Sequence, residues 1–183
     1  MDLNFEGKLT NLLKDITDWL KFAEAKNLAL ITFNSAWLAY YLKNMIDNDL
    51  YQYKFLYIIG SLFCIVSILL CFIAFLPKLV DNSKIEGWLK KRLGNITEKD
   101  NILFYKDIFK YSFKEYYEEF QKKVLKVKNI DSFESENNRY EKTLIMQIVV
   151  LSGISYKKYL LFDISLKLTM IPFIFLIYLV ILQ

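Results

Sequence analysis

Between Lys54 and Pro77 the chain runs for 22 residues, 55–76, without a single charge. Coiled as a helix rising about 1.5 Å per residue, such a run covers roughly 33 Å, enough to cross the roughly 30 Å of hydrocarbon in a bilayer. It is too long and too uniformly apolar for one stripe of a water-exposed helix, and Pro77-Lys78 closes it. The rest of the 183 residues has the same blocky character. Apolar residues make up 55% of the chain but gather in a few unbroken stretches separated by charged ones, rather than in the periodic stripes of a soluble core. One unit built around membrane helices follows.

Two further stretches are candidates for crossing. Residues 27–42 carry no charge and are flanked by Lys26 and Lys43, with Trp37, Tyr40 and Tyr41 near one end. At about 24 Å this helix is short of the hydrocarbon thickness, which snorkelling of the two lysines offsets; a buried helix of soluble type is the alternative. Residues 168–182 form the third apolar block, entered past Asp163 and Lys167 at i,i+4 pairing distance, with Pro172 predicting a kink. Ahead of them, residues 11–25 place Leu12, Leu13, Ile16, Leu20 and Phe22 among charges, the pattern of an amphipathic helix on a surface. This N-terminal part lacks the short apolar core and cleavage site of a secretory signal. Residues 78–158 hold 17 Lys and Arg, against one in the loop 44–54, so the positive-inside rule puts the larger segment and the N-terminus in the cytoplasm.

The predicted fold is therefore an all-α integral membrane protein. It comprises a cytoplasmic amphipathic helix (1–26), a hairpin of two N-terminal membrane spans (27–77), a cytoplasmic helical region (78–160) and a C-terminal membrane helix (161–183). Within the cytoplasmic region, Ser112 and Glu115 have capping-box spacing and predict a helix from Phe113 to about Val127, with Phe113, Tyr116, Tyr117, Phe120 and Val124 on one stripe. A break at Asn129 and a restart after Asp131 or Ser132 lead into one helix that continues to Leu182.

The chain has no histidine, which removes the commonest general base and zinc ligand. Cys64 and Cys71 sit seven residues apart inside the charge-free run, too far along one helix for a disulfide, and read as packing residues. No phosphate loop, CxxC or metal spacing is present, and Glu118-Glu119 reads as a solvated face, so an enzyme is not expected and no cofactor is implied. The net charge of +4 is spread among acids, which argues against a nucleic-acid partner. Lys157-Lys158 between Tyr156 and Tyr159 suits an interfacial anchor or a phosphate site. Asn34 and Ser35 in the first span, with Ser61 and Ser67 in the second, are candidate interhelical contacts or pore-lining groups. A constitutive small-membrane toxin or holin-like pore and a non-toxic membrane adaptor both fit these features. About 80 residues between spans exceed what a simple pore needs and favour sensing.

Three segments in order carry a family resemblance. The first is Trp19-Leu20-Lys21-Phe22-Ala23-Glu24-Ala25-Lys26, followed by the apolar run containing Asn34; the second is Asn101-Ile102-Leu103-Phe104-Tyr105, ahead of Ser112 to Tyr116; the third is Gln147, then Ser152, then Lys158-Tyr159. Together they resemble the transmembrane effectors of pyrimidine-cyclase (Pycsar) anti-phage systems, the PycTM family. The motif residues matched are Glu24, Lys26, Asn34, Gln147, Ser152 and Tyr159; Glu24 stands where the family more often has Asp. The resemblance implies a multi-pass protein of the bacterial inner membrane, a partner pyrimidine cyclase, and a cyclic pyrimidine mononucleotide, cUMP or cCMP, as activating ligand. It implies membrane impairment and abortive infection as the outcome. Short spans beside a full-length one favour a homo-oligomer in contact with lipid. A monoanionic nucleotide needs a cation for its phosphate and a ring for its base. The candidates are Arg139, Lys157 and Lys158 for the phosphate, with Phe104 or Tyr117 for stacking.

Overall fold

The computed structural model describes residues 3–46, 54–76, 83–125 and 139–182, and these are helical almost throughout. In chain order the helices are α1 (Leu3–Ile46), α2 (Lys54–Phe75), α3 (Ser83–Leu93), α4 (Tyr105–Ile108), α5 (Phe113–Phe120), extended by a π turn (Gln121–Leu125), and α6 (Arg139–Leu182). No strand occurs among the described residues. The chain packs as two compact units: Met1–Lys21 with Lys78–Lys157, and Phe22–Pro77 with Lys158–Gln183. Helices α1 and α6 contribute residues to both.

The first unit has a conventional apolar core. On α1, Phe5, Leu9, Leu12 and Ile16 recur at steps of four, three and four, and all are buried. They meet Tyr116, Tyr117 and Phe120 of α5 and Leu144, Ile145, Ile148 and Val149 of α6. Phe5 anchors this contact, its ring 6.0 Å from that of Tyr117 and 5.8 Å from that of Phe120. The apolar stripe expected to lie on a surface thus faces a protein core instead, and Phe22, assigned to that stripe, is exposed. Nor does the helix stop at Lys26. Between Lys8 and Ile46 there is no glycine or proline, and the residues around Lys26 are strong helix formers, so α1 continues through the charged step without a break.

The Ser112 capping box forms as its spacing predicts. Ser112 N–H donates to Glu115 Oε2 at 2.8 Å, and Glu115 N–H donates to Ser112 Oγ at 3.3 Å. Phe113, placed on the buried stripe from sequence, shares the face of Tyr116, Tyr117 and Phe120 but is exposed, standing at the first residue of α5. The expected break at Asn129 and restart after Asp131 or Ser132 lie outside the described residues.

Gly153 of α6 is a close approach in this unit. A Cβ there would fall 2.5 Å from Phe109 Cε2 and 2.7 Å from Phe109 Cδ2. The Phe109 ring is buried, with Tyr156 on one side and the Lys90 ammonium 5.4 Å from its centroid. Gly153→Ala is expected to destabilise the first unit by about 1–3 kcal/mol through overpacking. Phe109→Leu in the same chain should recover part of the loss, read as the thermal midpoint of the detergent-purified protein.

A polar loop between α3 and α5 holds the core in place. Tyr116 Oη donates to Ile102 O at 2.7 Å, and Lys110 Nζ reaches Asp100 at 2.8 Å and Asp107 at 3.1 Å, both Lys110 and Asp100 being nearly buried. Burial pushes the Asp100 carboxyl up, but hydrogen bonds from Lys110 and Thr97 outweigh it and hold the group below its ordinary value of 3.8. At Glu115 the Ser112 backbone N–H and hydroxyl do the same, against 4.5. Both carboxylates bind protons less readily folded than unfolded. Their stabilisation is present above about pH 4–5 and is lost as pH falls through the depressed folded values. Asp100→Asn should flatten the acid limb of a stability-versus-pH curve while leaving the neutral plateau comparatively unchanged in shape.

In the second unit the pattern of α2 is inverted in size. Its buried face carries Tyr57, Gly60, Ser61, Cys64, Ser67, Cys71 and Ala74, at alternating steps of three and four apart from Ser61 beside Gly60. Apart from Tyr57 these are small. The bulky apolar residues Phe55, Ile58, Leu62, Ile65, Val66, Leu69, Phe72 and Ile73 point outward. Water would drive the large side chains inward; lipid is indifferent to them, and packing then favours small residues where helices meet. Only a third of the helix's most apolar window is buried, which sets it apart from the core helix of a soluble protein. Lys54–Phe75 is the described helix long and apolar enough to cross a membrane.

Candidate functional site

The contact face of α1 in the second unit repeats every seven residues as Asn27, Asn34 and Tyr41, all buried. Seven residues are close to two helical turns, so these side chains line one seam. Facing them are α2, antiparallel, and the C-terminal part of α6, parallel. Asn27 Nδ2 points to Lys158 O at 3.4 Å, Asn34 meets Ser67 and Thr169, and Tyr41 Oη donates to Pro172 O while its ring packs 6.1 Å from that of Tyr57.

At the centre lies a polar cluster drawn from all three helices. Asn34 Nδ2 has Ser67 Oγ at 3.1 Å, Thr169 Oγ1 at 3.0 Å and its own-turn Leu30 O at 3.0 Å. The Ser67 hydroxyl donates to Ser165 O at 2.9 Å and lies 3.0 Å from Thr169 Oγ1, which donates to the same carbonyl at 2.9 Å. An amide nitrogen has two protons, so three acceptors compete for them. Asn34 Oδ1 is buried without a hydrogen-bond partner, as is Asn27 Oδ1. Enclosed by apolar helices, an orphaned carbonyl oxygen is costly and gains from any rearrangement that admits water. The cluster offers amide and hydroxyl dipoles, groups that solvate water or a small ion.

Lys158 and Glu24 form an ion pair at one end of this seam, with the Lys158 ammonium 5.8 Å from the Phe75 ring centroid. Beside it, Lys26 is surrounded by rings: its ammonium is 4.5 Å from the centroid of Phe22 and 5.5 Å from those of Tyr159 and Phe162.

The residues singled out from sequence divide between the units. Arg139, Lys157, Phe104 and Tyr117 belong to the first and Lys158 to the second. Arg139 is exposed at the start of α6, and Lys157 is half-buried. Phe104 is half-buried, edge-on to Trp19 at 5.6 Å and 4.5 Å from the Tyr105 ring. Tyr117 is fully enclosed against Phe5 and presents no open ring face for a base, because α5 turns that side of the helix into the core. Lys158 has its charge met by Glu24. Of the family-motif residues, Glu24, Lys26, Asn34 and Tyr159 gather in the second unit, whereas Gln147 is exposed and Ser152 buried in the first. Asn34 and Ser67 meet across helices as expected of interhelical contacts; Ser61 and Ser35 bond their own helices, at Ile58 O and Ile31 O. Asn27, Ser165 and Thr169 were not singled out. The seven-residue step between Asn27 and Asn34 was a visible signal for the first, and the four-residue step between Ser165 and Thr169, which puts both on one face of α6, was one for the other two.

A family model for the Pycsar effector protein domain, PycTM, matches residues 8–183. The chain belongs to that family. This makes it a membrane effector of anti-phage defence, in agreement with the outward-facing bulky residues of α2. No curated protein and no solved structure matches it. In this Pycsar effector Glu24 pairs with the buried Lys158 and Asn34 joins α1 to α2 and α6.

Proposed function

We propose that this Pycsar effector responds to a cyclic pyrimidine mononucleotide, cUMP or cCMP, and impairs the bacterial inner membrane, so that an infected cell stops growing before phage mature. The observation that carries the membrane-impairing step is the polar cluster of Asn34, Ser67 and Thr169 with its orphaned amide oxygen. Helices α1 from Lys26 onward, α2, and α6 from about Lys158 onward cross the bilayer as a hairpin and a C-terminal helix, with the N-terminus cytoplasmic. In the resting state the three helices close around the cluster and leave the Asn34 amide oxygen without a protein donor. Activation separates the three helices enough to hydrate it, and assembly of several copies widens the breach. The signal comes from a partner pyrimidine cyclase. On the cytoplasmic side Lys157 supplies the phosphate contact and Phe104 the stacking surface; Arg139, 18 residues earlier on the unbroken helix α6, lies about 27 Å along it and out of reach of the same phosphate.

The test is membrane potential in bacteria expressing the chain together with a cyclase that makes cUMP, one that makes cCMP, or neither. Collapse with one nucleotide alone supports the gated reading and names the signal. Collapse without a nucleotide would identify a constitutive pore, and no collapse under any condition would identify an adaptor.

A further inference from the structure

A groove of about 540 Å³ runs along the second unit between α1 and α6. Lys26 stands at one end, and Leu30, Phe33, Leu166, Met170 and Phe173 form much of its walls. We infer that it binds an anionic phospholipid, with the phosphate on Lys26 and one acyl chain along the apolar walls. This rests on the reading that the helices of this unit cross the bilayer.

The charge of Lys26 is the first argument. Lys158 is paired with Glu24, but among the described residues Lys26 has only ring faces about it and no carboxylate. Glu24, two residues earlier on the same helix, faces a different direction. A half-exposed ammonium held by three rings at the mouth of an apolar groove is complementary to an anion that carries a hydrocarbon tail. Basic pockets between membrane helices on the cytoplasmic side hold lipid headgroups in this way. The dimensions agree. From Phe162 to Phe173 the wall extends roughly 16 Å, against roughly 15 Å for one leaflet of hydrocarbon.

The lining argues against a nucleotide in the same place. Beyond Lys26 its polar group is Thr169 Oγ1, already engaged with Ser165 O and Ser67. The ribose and base of a nucleotide would be buried there without partners, whereas an acyl chain needs none. A helix from a second copy could fill the apolar part but would leave Lys26 uncompensated.

The experiment uses the full chain in membranes washed with alkaline carbonate, then reconstituted in phosphatidylcholine vesicles containing spin-labelled phosphatidylglycerol or spin-labelled phosphatidylcholine of the same chain length. The immobilised fraction should favour phosphatidylglycerol by about fivefold, as one cation at the surface predicts. Lys26→Ala should bring the two labels near parity, Lys26→Arg should keep the preference, and Leu166→Trp, which fills the groove from an exposed position, should reduce immobilisation of both. A preference that survives Lys26→Ala overturns the inference. So does displacement of the lipid by millimolar inorganic phosphate, which would mark a simple anion site, or a Leu166→Trp variant that changes oligomer mass but not lipid binding, which would mark a second copy as occupant. Release by carbonate would overturn the membrane-spanning reading along with the inference; retention without headgroup preference would overturn the inference alone.

Discussion

Cells producing the Asn34→Asp variant are expected to lose membrane potential without any nucleotide. Asn34 is fully buried among three helices, and a carboxylate there must be hydrated, neutralised or expelled. An aspartate at the centre of a membrane helix costs about 3 kcal/mol on the scale set by insertion, comparable to the bias that keeps a two-state element at rest. Admitting water to the seam relieves that cost, and the hydrated arrangement is the one proposed to leak. Asn34→Leu makes the opposite change. It removes the orphaned Oδ1, and Ser67 and Thr169 keep Ser165 O as their acceptor, so the closed packing gains and the nucleotide response should fall by about tenfold or more. An interhelical hydrogen bond in a membrane is worth only about 0.6 kcal/mol on average, so the Leu variant should still insert and fold. The readout is a potential-sensitive dye with and without a co-expressed cyclase. An aspartate variant that behaves as wild type, beside a leucine variant that still responds, would remove Asn34 from the gate.

The second large effect is expected at Gly60. A Cβ on this residue would lie 2.7 Å from Tyr41 Cε1 and 2.8 Å from Tyr41 Cζ. Tyr41 has little room to yield, since it is almost fully buried and its hydroxyl is held by Pro172 O. Gly60→Val therefore has to push α2 away from α1, and about 3 kcal/mol of packing between them is at stake. Loss of the folded species should show as a collapsed monodisperse peak in detergent and protease cleavage within the second unit. Gly60→Val with Tyr41→Ala supplies the missing volume and should restore the peak. If Gly60→Val alone behaves normally, the α1 to α2 contact at this level is looser than the ring distances imply.

What the sequence could and could not disclose follows from the range of each interaction. The charge-free run became α2, the Ser112–Glu115 pair became a capping box, and Asp163 with Lys167 became a 2.7 Å ion pair one turn apart. These are decided by residues close together in the chain. Membership of the effector family was readable from three short segments in order. The continuity of α1 was not readable, because Glu24 and Lys26 look like the border between a polar helix and a span. Whether Glu24 ends a segment or anchors it depends on Lys158, 134 residues away. The central cluster was half visible. Asn34 and Ser67 stood out as polar groups in apolar runs, but the partner that completes the cluster is Thr169, 135 residues from Asn34. Tyr117 was open to two readings for a similar reason, since an aromatic on a helix stripe serves a core or a ligand according to what faces it, and here that is Phe5.

The size inversion of α2 also bears on how such a chain can drift. In a soluble protein the bulky apolar positions are the guarded ones and small surface residues change freely. Here the order is reversed. Leu62, Ile65, Leu69 and Phe72 face outward and are interchangeable so long as they stay apolar, whereas Gly60, Ser67 and Ala74 have no room to grow. Lineages of such effectors can rewrite most of this helix while its seam of small residues stays fixed, so relatives would share a spacing of small side chains more durably than any string of identical letters.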